Sequence, residues 1–165
     1  MRIFAVSGYS GTGKTTLIVA LIDGLKKRGH TVSTVKSSME DSMPPENSDT
    51  WKHLKAGVEM SILQGPSSTT IRFKERISLS KTLQVYDSDF LLVEGMKGLA
   101  IPRFWCVGEG ALEDVPPPGT VAMVAWKESA TTAKEVDVPV LLPDDVESLV
   151  KIVEREAIDV SDLVL

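Results

Sequence analysis

The sequence predicts an α/β fold in which helices cover a mostly parallel sheet. Short apolar runs rich in β-forming residues alternate along the 165 residues with segments whose apolar positions recur at helical spacing. We expect residues 1–165 to form a single domain, since chains of this length usually do. The net charge of −5 argues against nucleic-acid binding. No apolar run approaches the ~18 residues of a membrane helix, so we expect a cytoplasmic protein without membrane contact.

A glycine-rich loop separates the first predicted strand from the first predicted helix. Residues 1–6, MRIFAV, are apolar and β-forming, and LIVALIDGLKKRG after the loop has apolar positions at helical spacing. Between them, Gly8 to Thr15 fit the spacing G-x-x-x-x-G-K-[ST] of a phosphate-binding loop. A strand before the loop and a helix after it are the context that this motif requires. The sequence therefore predicts nucleotide binding on a three-layer P-loop NTPase fold.

The residue types of this loop indicate its chemistry. Glycines permit positive φ and close approach of main-chain N–H groups to phosphate oxygens, and a helix N-terminus favours an anion. We expect the lysine to contact the β- and γ-phosphates and the next hydroxyl to bind Mg²⁺. The predicted phosphate-binding residues are Gly8, Ser10, Gly11, Thr12, Gly13, Lys14, Thr15 and Thr16.

The middle of the chain interrupts the alternation of strands and helices. Residues 31–38 predict a second strand and the polar residues 39–47 a loop. Ser48 is placed to cap a helix that runs to about Ala56. VEMSILQG and STTIRFK, joined by a Gly-Pro turn, predict an antiparallel hairpin added at one edge of the sheet. Such an edge is able to pair with a second copy of the chain.

The remaining residues return to the alternating pattern. We expect a short helix at 79–86, strands at 89–95, 101–108, 120–126 and 138–142, and a closing helix at 143–156 capped by Asp144. The single cysteine, Cys106, excludes an internal disulfide, and its apolar neighbours predict a buried thiol on a strand.

Charged residues stand at four candidate ligand positions, and three of these follow strands, where ligands of open α/β sheets collect. Glu94 ends an apolar strand and either contacts Mg²⁺ or caps the following turn. Lys36 ends the second strand and either faces an anionic ligand or is solvated. Lys127 follows Trp126 after another strand, where its stem either packs on a nucleotide base or belongs to a surface loop. Asp49 either supplies a second carboxylate to Mg²⁺ or stabilises the first turn of its helix.

Four motifs occur in one order: GYSGTGKTT, TVKSS, DTWKHLKAGVE and LLVEGMKG, followed by IPRF. In this combination the chain resembles the molybdopterin-guanine dinucleotide biosynthesis protein B family, usually called MobB, over residues 1–104. The resemblance implies a P-loop GTPase fold, GTP and Mg²⁺ as ligands, slow hydrolysis and a homodimer. It also implies association with the MobA-type guanylyltransferase that attaches GMP to molybdopterin.

The resemblance also implies roles for individual residues. Related P-loop synthetases such as dethiobiotin synthetase place an Asp and a Glu on the metal at positions that match Asp49 and Glu94, so these two and Lys14 become the candidate catalytic residues. Lys97 matches the lysine of the family's E-G-x-K motif and is expected to face the nucleotide or a pterin, with molybdopterin as a further candidate ligand.

The chain departs from the family at two points. Ser37 and Ser38 stand where the family often has histidines, and no N-K-x-D motif is present to read guanine. The preference for GTP over ATP therefore follows from the resemblance alone. An ATP-dependent small-molecule kinase or synthetase, with Lys36, Ser37 and Lys97 lining an acceptor pocket, is the main alternative. A metal-insertion GTPase would need Cys and His ligands, and the chain contains only one Cys and two His residues.

Overall fold

The computed structural model describes residues 1–108, 116–125 and 138–163. The strands in these ranges are β1 (Arg2–Gly8), β2 (Val32–Lys36), β3 (Met60–Gln64), β4 (Thr69–Phe73), β5 (Phe90–Glu94), β6 (Arg103–Val107), β7 (Thr120–Ala125), β8 (Val140–Leu141) and β9 (Ile158–Asp159). The helices are α1 (Lys14–Lys27), α2 (Asp49–Lys55), α3 (Leu79–Leu83) and α4 (Val146–Glu156), and a 3-10 turn covers Val160–Asp162. None of these helices is long and apolar enough to cross a membrane.

The described residues divide into two compact units. The first contains Met1–Ser37 and the residues from Tyr86 onward, and the second contains Ser38–Val85. The part of the sequence that interrupts the α/β alternation falls in the second unit. A single domain over residues 1–165 stays a prediction.

A mostly parallel sheet forms the centre of the first unit. Its strand order is β2-β5-β1-β6-β7-β8, and every neighbouring pair along this path is parallel. The short β9 pairs antiparallel with the beginning of β1. The α/β fold with a mostly parallel sheet, predicted from the sequence, is confirmed. In this order β1 lies between β5 and β6, so the loop that follows it is flanked by the ends of both.

The two long helices of the first unit cover the same face of this sheet. Strands β5 and β6 are buried along their whole length, so the residues on both of their faces are shielded from solvent. Alternate strand residues pack against α1 and α4 in one apolar cluster. Its buried members are Phe4, Val6, Leu17, Ile18, Leu21, Leu25, Phe90, Leu92, Phe104, Cys106, Ala122, Val124, Leu149, Val150, Val153 and Ala157.

Cys106 lies in this cluster with its thiol shielded from solvent, as its neighbours predict. Burial raises the pKa of the thiol to about 12, because the thiolate would lose its hydration. On the opposite face of the sheet, a smaller cluster contains Trp105, Val107, Met123 and Ala125. The site described below uses residues from both faces.

The second unit contains α2, the predicted hairpin and α3. Ser48 caps α2 as predicted, accepting a hydrogen bond at Oγ from the Trp51 N–H at 3.3 Å. Strands β3 and β4 pair antiparallel and confirm the hairpin, but they form a two-stranded sheet of their own and not the added edge of the main sheet that the sequence predicts. The Gly65–Ser68 main-chain hydrogen bond of 2.8 Å closes their turn.

The beginning of α4 corrects one detail of the sequence prediction. The capping residue is Asp145 and not Asp144, because Asp145 Oδ1 accepts the N–H of Ser148 at 3.3 Å. The Asp145 main-chain N–H in turn bonds the Leu142 carbonyl at 3.2 Å, so the turn before the helix extends one residue further than predicted. Two adjacent aspartates fit a capping pattern equally well, and only the geometry of the turn separates them.

Candidate functional site

The glycine-rich loop connects β1 directly to α1, and glycine is required where the chain turns most sharply. Gly8, Gly11 and Gly13 have φ of 150°, 77° and 79°. A Cβ on Gly8 would lie 2.5 Å from the carbonyl oxygen of Cys106, its partner on β6. The loop therefore begins against a neighbouring strand with no room for a side chain, which fixes the start of its path.

The N-terminus of α1 has neither a side-chain cap nor an acidic residue in its own first turn. Gly13 is the N-cap and has no side chain to accept a hydrogen bond, and the first turn contains no acidic residue. In contrast, α2 and α4 are each capped by a side chain and carry Asp49 and Glu147 in the first turn. The first N–H groups of α1 are thus available to an external anion.

The lysine and the threonine side chain within the loop bond to the loop's own backbone. The Nζ of Lys14 and the Oγ1 of Thr12 both donate to the Tyr9 carbonyl oxygen, the latter at 2.9 Å. Lys14 therefore lies across the loop, with its ammonium group against the Tyr9 carbonyl oxygen. The exposed Ser10 and Thr16 extend this polar surface.

Three predicted site residues meet at the ends of parallel strands. Glu94 ends β5, where it pairs in register with Lys36 of β2 on one side and Val6 of β1 on the other. Its Oε1 accepts the hydroxyl of Thr15 at 3.0 Å and lies 3.1 Å from the Nζ of Lys36. The fixed register of three adjacent strands thus brings together residues that are far apart in the sequence.

The oxygens at this position match the requirements of Mg²⁺. A P-loop magnesium ion takes one or two protein oxygens and completes its shell with phosphate and water, so the Thr15 hydroxyl and the Glu94 carboxylate are sufficient. Among the described residues no three His, Cys, Asp or Glu side chains gather as a metal site. A divalent cation held by Thr15 and Glu94 would therefore depend on the phosphates of a nucleotide.

Lys97 lies close to the loop, on the segment that follows β5. Its Nζ is 4.0 Å from the centre of the Tyr9 ring and 5.2 Å from that of Trp105. The two rings contact each other edge to face at 5.8 Å. These cation–π contacts place an ammonium group beside the second residue of the phosphate-binding loop.

Two further predicted site residues belong to other parts of the chain. Asp49 belongs to the second unit, at the first residue of α2, where its carboxylate lies 3.3 Å from the Nζ of Lys52. Its assignment to the metal stays a prediction. Lys127 lies outside the described residues.

Two residues that border the site are not predicted from the sequence. Arg103 on β6 is fully buried and donates to Ser7, the residue before Gly8. The signal for Arg103 was present, since it is the only charged residue of the apolar strand IPRFWCV. Ser7 gave no comparable signal, because a serine before a glycine loop looks like part of the loop.

Comparison with known proteins supplies the family. Residues 3–126 match the family described as "Molybdopterin guanine dinucleotide synthesis protein B", which is three quarters of the chain. The chain belongs to the MobB family. The phosphate-binding loop, Lys36, Asp49, Glu94 and Lys97 all lie within the matched residues.

Curated relatives carry consistent names. A "Putative molybdopterin-guanine dinucleotide biosynthesis adapter protein" from Methanocaldococcus jannaschii is 34% identical over 111 residues, which are 62% of this chain and 46% of the relative. The "Molybdopterin-guanine dinucleotide biosynthesis adapter protein" of Haemophilus influenzae is 35% identical over 107 residues, which are 61% of this chain and 60% of the relative. The matched regions thus span about half of the length of these relatives.

Solved structures agree with the fold. The structure of Bacillus subtilis MobB has a TM-score of 0.76 at 21% identity and covers 96% of this chain and 99% of its own. A MobB homologue from Bacillus stearothermophilus has a TM-score of 0.69 at 22% identity and covers 94% and 97%. At identities of 21% and 22%, these two structures show a shared fold alone, and that fold is of the P-loop type.

Proposed function

We propose that this chain is a GTP-binding adapter of molybdenum cofactor biosynthesis with weak, Mg²⁺-dependent hydrolytic activity, working in the cytoplasm. The uncapped N-terminus of α1 behind a glycine loop is the observation that carries nucleotide binding. Membership in the MobB family and the names of the curated relatives support the pathway. Guanine as the base follows from the same family membership.

The residues of the site have defined tasks in this function. Main-chain N–H groups of the loop and the Nζ of Lys14 would bind the phosphates, and Lys97 lies near enough to Tyr9 to approach them. Bound Mg²⁺ would neutralise charge on the terminal phosphates, held by Thr15 and Glu94 and, in our proposal, Asp49. Slow turnover is expected, because the resemblance to the MobB family implies slow hydrolysis.

Partner binding completes the adapter role. We propose that the nucleotide-bound chain associates with a MobA-type guanylyltransferase, with molybdopterin as a candidate ligand, and that two copies of the chain form the active unit. The adapter names of the relatives support a partner in the pathway. The exposed apolar face of the β3–β4 hairpin, formed by Met60, Ile62, Ile71 and Phe73, supports a homodimer.

The nucleotide assignment is tested by calorimetric titration of GTP and ATP, each with and without Mg²⁺. We expect tighter binding of GTP with Mg²⁺, and the Lys14→Ala variant to lose about ten- to a hundredfold in affinity, as for a charged hydrogen bond. Lys26→Ala, an exposed lysine in the last turn of the same helix, is the matched control and should bind normally. Normal affinity of Lys14→Ala would contradict the site.

The same titration separates the proposed function from its main alternative. A clear preference for ATP, with hydrolysis that accelerates when a small carboxylate or hydroxyl compound is added, would favour a kinase or synthetase. Co-purification of the chain with the guanylyltransferase in a GTP-dependent manner would support the adapter. If the chain and the guanylyltransferase associate equally well with and without GTP, nucleotide binding has no part in the adapter function.

A further inference from the structure

Arg103 is a buried charge without a counter-ion in the described part of the chain. It is the first residue of β6, has 0% exposure and is followed on the strand by the buried Phe104. Burial lowers the pKa of its guanidinium from the usual value, because the charged form loses hydration. No ion pair of the described residues includes Arg103. Replacing its hydration requires hydrogen bonds in defined directions.

Those hydrogen bonds all lead to the edge of the nucleotide site. Nη1 donates to the Ser7 hydroxyl at 3.2 Å and to the Lys97 carbonyl oxygen at 3.1 Å, and Nη2 donates to the Leu99 carbonyl oxygen. Ser7 links Arg103 to Gly95, because the Ser7 hydroxyl accepts from Arg103 and donates to the Gly95 carbonyl oxygen at 2.9 Å. Arg103 and Ser7 therefore bind three carbonyl groups of residues 95–99, which we call the 95–99 segment.

The 95–99 segment has a strained backbone. Gly95 and Met96 have φ of 90° and 46°, and a left-handed conformation is unfavourable for a residue with the side chain of methionine. The segment begins immediately after Glu94 and contains Lys97, so its conformation decides where both side chains point. Strain of this kind persists only where surrounding contacts hold it, and Arg103 and Ser7 supply hydrogen bonds to three carbonyl groups of the segment.

We infer that Arg103 is a positioning residue that clamps the 95–99 segment and thereby holds Glu94 against Thr15 and Lys97 beside Tyr9. This inference rests on the proposed nucleotide site. Arg103 would support the geometry of that site through its hydrogen bonds to Ser7, Lys97 and Leu99. Arg103 contacts no phosphate-binding residue itself: it acts through Ser7, next to Gly8, and through two carbonyl groups. Nucleotide affinity therefore depends on a side chain that lies outside the binding surface.

The clamp needs a guanidinium group. Arginine presents several donors in a fixed planar fork, so one side chain can reach a hydroxyl and two carbonyl oxygens together. Lysine carries its donors on a single atom and would satisfy only part of this set. An uncharged methionine of similar length would satisfy none. The series Arg103, Arg103→Lys and Arg103→Met is thus expected to hold the segment progressively less well.

Hydrogen exchange reports directly on the segment. The Gly95 N–H bonds the Val6 carbonyl at 3.0 Å and the Leu99 N–H bonds the Met96 carbonyl at 3.1 Å, so both amides are reporters. The Phe90 N–H, bonded to the Thr31 carbonyl at 3.1 Å at the other end of β5, is the internal reference. In Arg103→Met we expect the two reporters to exchange about tenfold faster relative to Phe90, as local openings do when their contacts are removed.

Nucleotide affinity provides the second reading. We expect Arg103→Met to lose about ten- to a hundredfold in affinity for GTP with Mg²⁺, the usual effect of removing a supporting contact behind a ligand site, with partial recovery in Arg103→Lys. Arg155→Met is the control: Arg155 is an exposed arginine of α4 whose Nε donates to Oε1 of Glu156 at 2.7 Å. It should leave both the reporters and the affinity unchanged.

The outcomes separate this inference from the proposed function. If Arg103→Met folds and its Gly95 and Leu99 amides exchange at the wild-type rate, the proposed role of Arg103 is wrong, regardless of the nucleotide affinity of the variant. If Arg103→Met does not fold, Arg103→Lys and Ser7→Ala carry the same measurement, and unchanged reporters in both also overturn it. A wild-type chain that binds neither nucleotide contradicts the proposed function, while the exchange rates still decide the clamp.

Discussion

Glu94 is the residue at which the contacts of the site converge, and its charge is the property to test. It accepts the Thr15 hydroxyl at 3.0 Å and lies 3.1 Å from the Nζ of Lys36. We predict that Glu94→Gln keeps an oxygen for the Thr15 hydrogen bond but loses the attraction for a divalent cation. The gain in GTP affinity on adding Mg²⁺ should fall about tenfold or more, measured by calorimetry at several Mg²⁺ concentrations.

A surface glutamate provides the control for Glu94. Glu59 forms an ion pair with Lys74 at 3.0 Å in the second unit, and Glu59→Gln removes the same charge from an exposed position. Its dependence on Mg²⁺ should equal that of the wild type. The assignment of Glu94 to the cation fails if Glu94→Gln responds to Mg²⁺ as strongly as the wild type and the Glu59→Gln protein do.

The buried thiol of Cys106 makes a second prediction at the residue scale. With a pKa of about 12, the fraction of thiolate at pH 8 in the folded protein is only about one in ten thousand, and the sulfur is covered by the core. We predict that Cys106 does not react with a disulfide reagent at pH 8 while the protein is folded. Absorbance on thiol release follows the reaction.

Unfolding should expose the same thiol and provides the positive control. In denaturant one thiol per chain should react at the rate of an unperturbed cysteine, since the sequence contains a single Cys. The raised pKa also gives a direction to stability: the folded chain binds the thiol proton more tightly, so stability declines as pH rises above the unfolded pKa. Rapid reaction without denaturant would refute the burial of Cys106.

At the scale of elements, the contact of α1 with α4 depends on one glycine. A Cβ on Gly24 would lie 2.5 Å from Cγ2 of Val150. We predict that Gly24→Ala destabilises the protein, because overpacking costs about 1–3 kcal/mol and exceeds the ~1 kcal/mol that alanine contributes within a helix. Denaturant unfolding measures the change. Val19→Ala, at an exposed position of α1, should change stability much less.

A double-mutant cycle identifies the clash as the cause. Val150→Ala removes the methyl groups that the new Cβ would meet, so adding Gly24→Ala to this variant should cost less than adding it to the wild type. We expect a coupling of about 0.5–3 kcal/mol between the two positions, the range for residues in contact. Additive effects would show that the helices do not approach each other at Gly24.

Sequence patterns predicted these elements well where the signal is local. The apolar runs of β5 and β6, the phosphate-binding loop and the capped helix α2 depend on neighbouring residues, and each was found. The cap of α4 was missed by one residue, since Asp144 and Asp145 differ only in turn geometry. The site followed the same rule: the loop was predicted from its spacing, but the contact of Lys36 with Glu94 needs the order and register of β2 and β5.

The burial of Arg103 and the cation–π contacts of Lys97 show why the rest of the site could not be predicted from the sequence. Both result from the position of β6 beside β1, which brings Arg103 level with Ala5 and Trp105 level with Ser7. No local pattern in the sequence reveals which strands become neighbours. A charged residue in an apolar strand nevertheless signals that some buried partner exists.

At the scale of the whole molecule, the β3–β4 hairpin carries the apolar surface that the homodimer would use. The register places Met60 opposite Phe73 and Ile62 opposite Ile71, so these four side chains share one face of the hairpin. Ile62 and Ile71 are 50% and 47% exposed in the isolated chain. Contiguous exposed apolar side chains on a two-stranded sheet are unfavourable in a monomer and mark a surface for association.

We predict that the chain is a dimer in solution and that Ile62→Lys, or Ile71→Lys, converts it to a monomer. In a twofold interface the same face of both copies meets, so each substitution places two like charges in one apolar contact. Light scattering after gel filtration measures the mass of each variant. Thr70→Lys adds the same charge to the opposite face of β4, where Thr70 pairs with Leu63, and should leave the dimer intact. A wild-type monomer, or an Ile62→Lys dimer as tight as the wild type, would exclude this face as the interface.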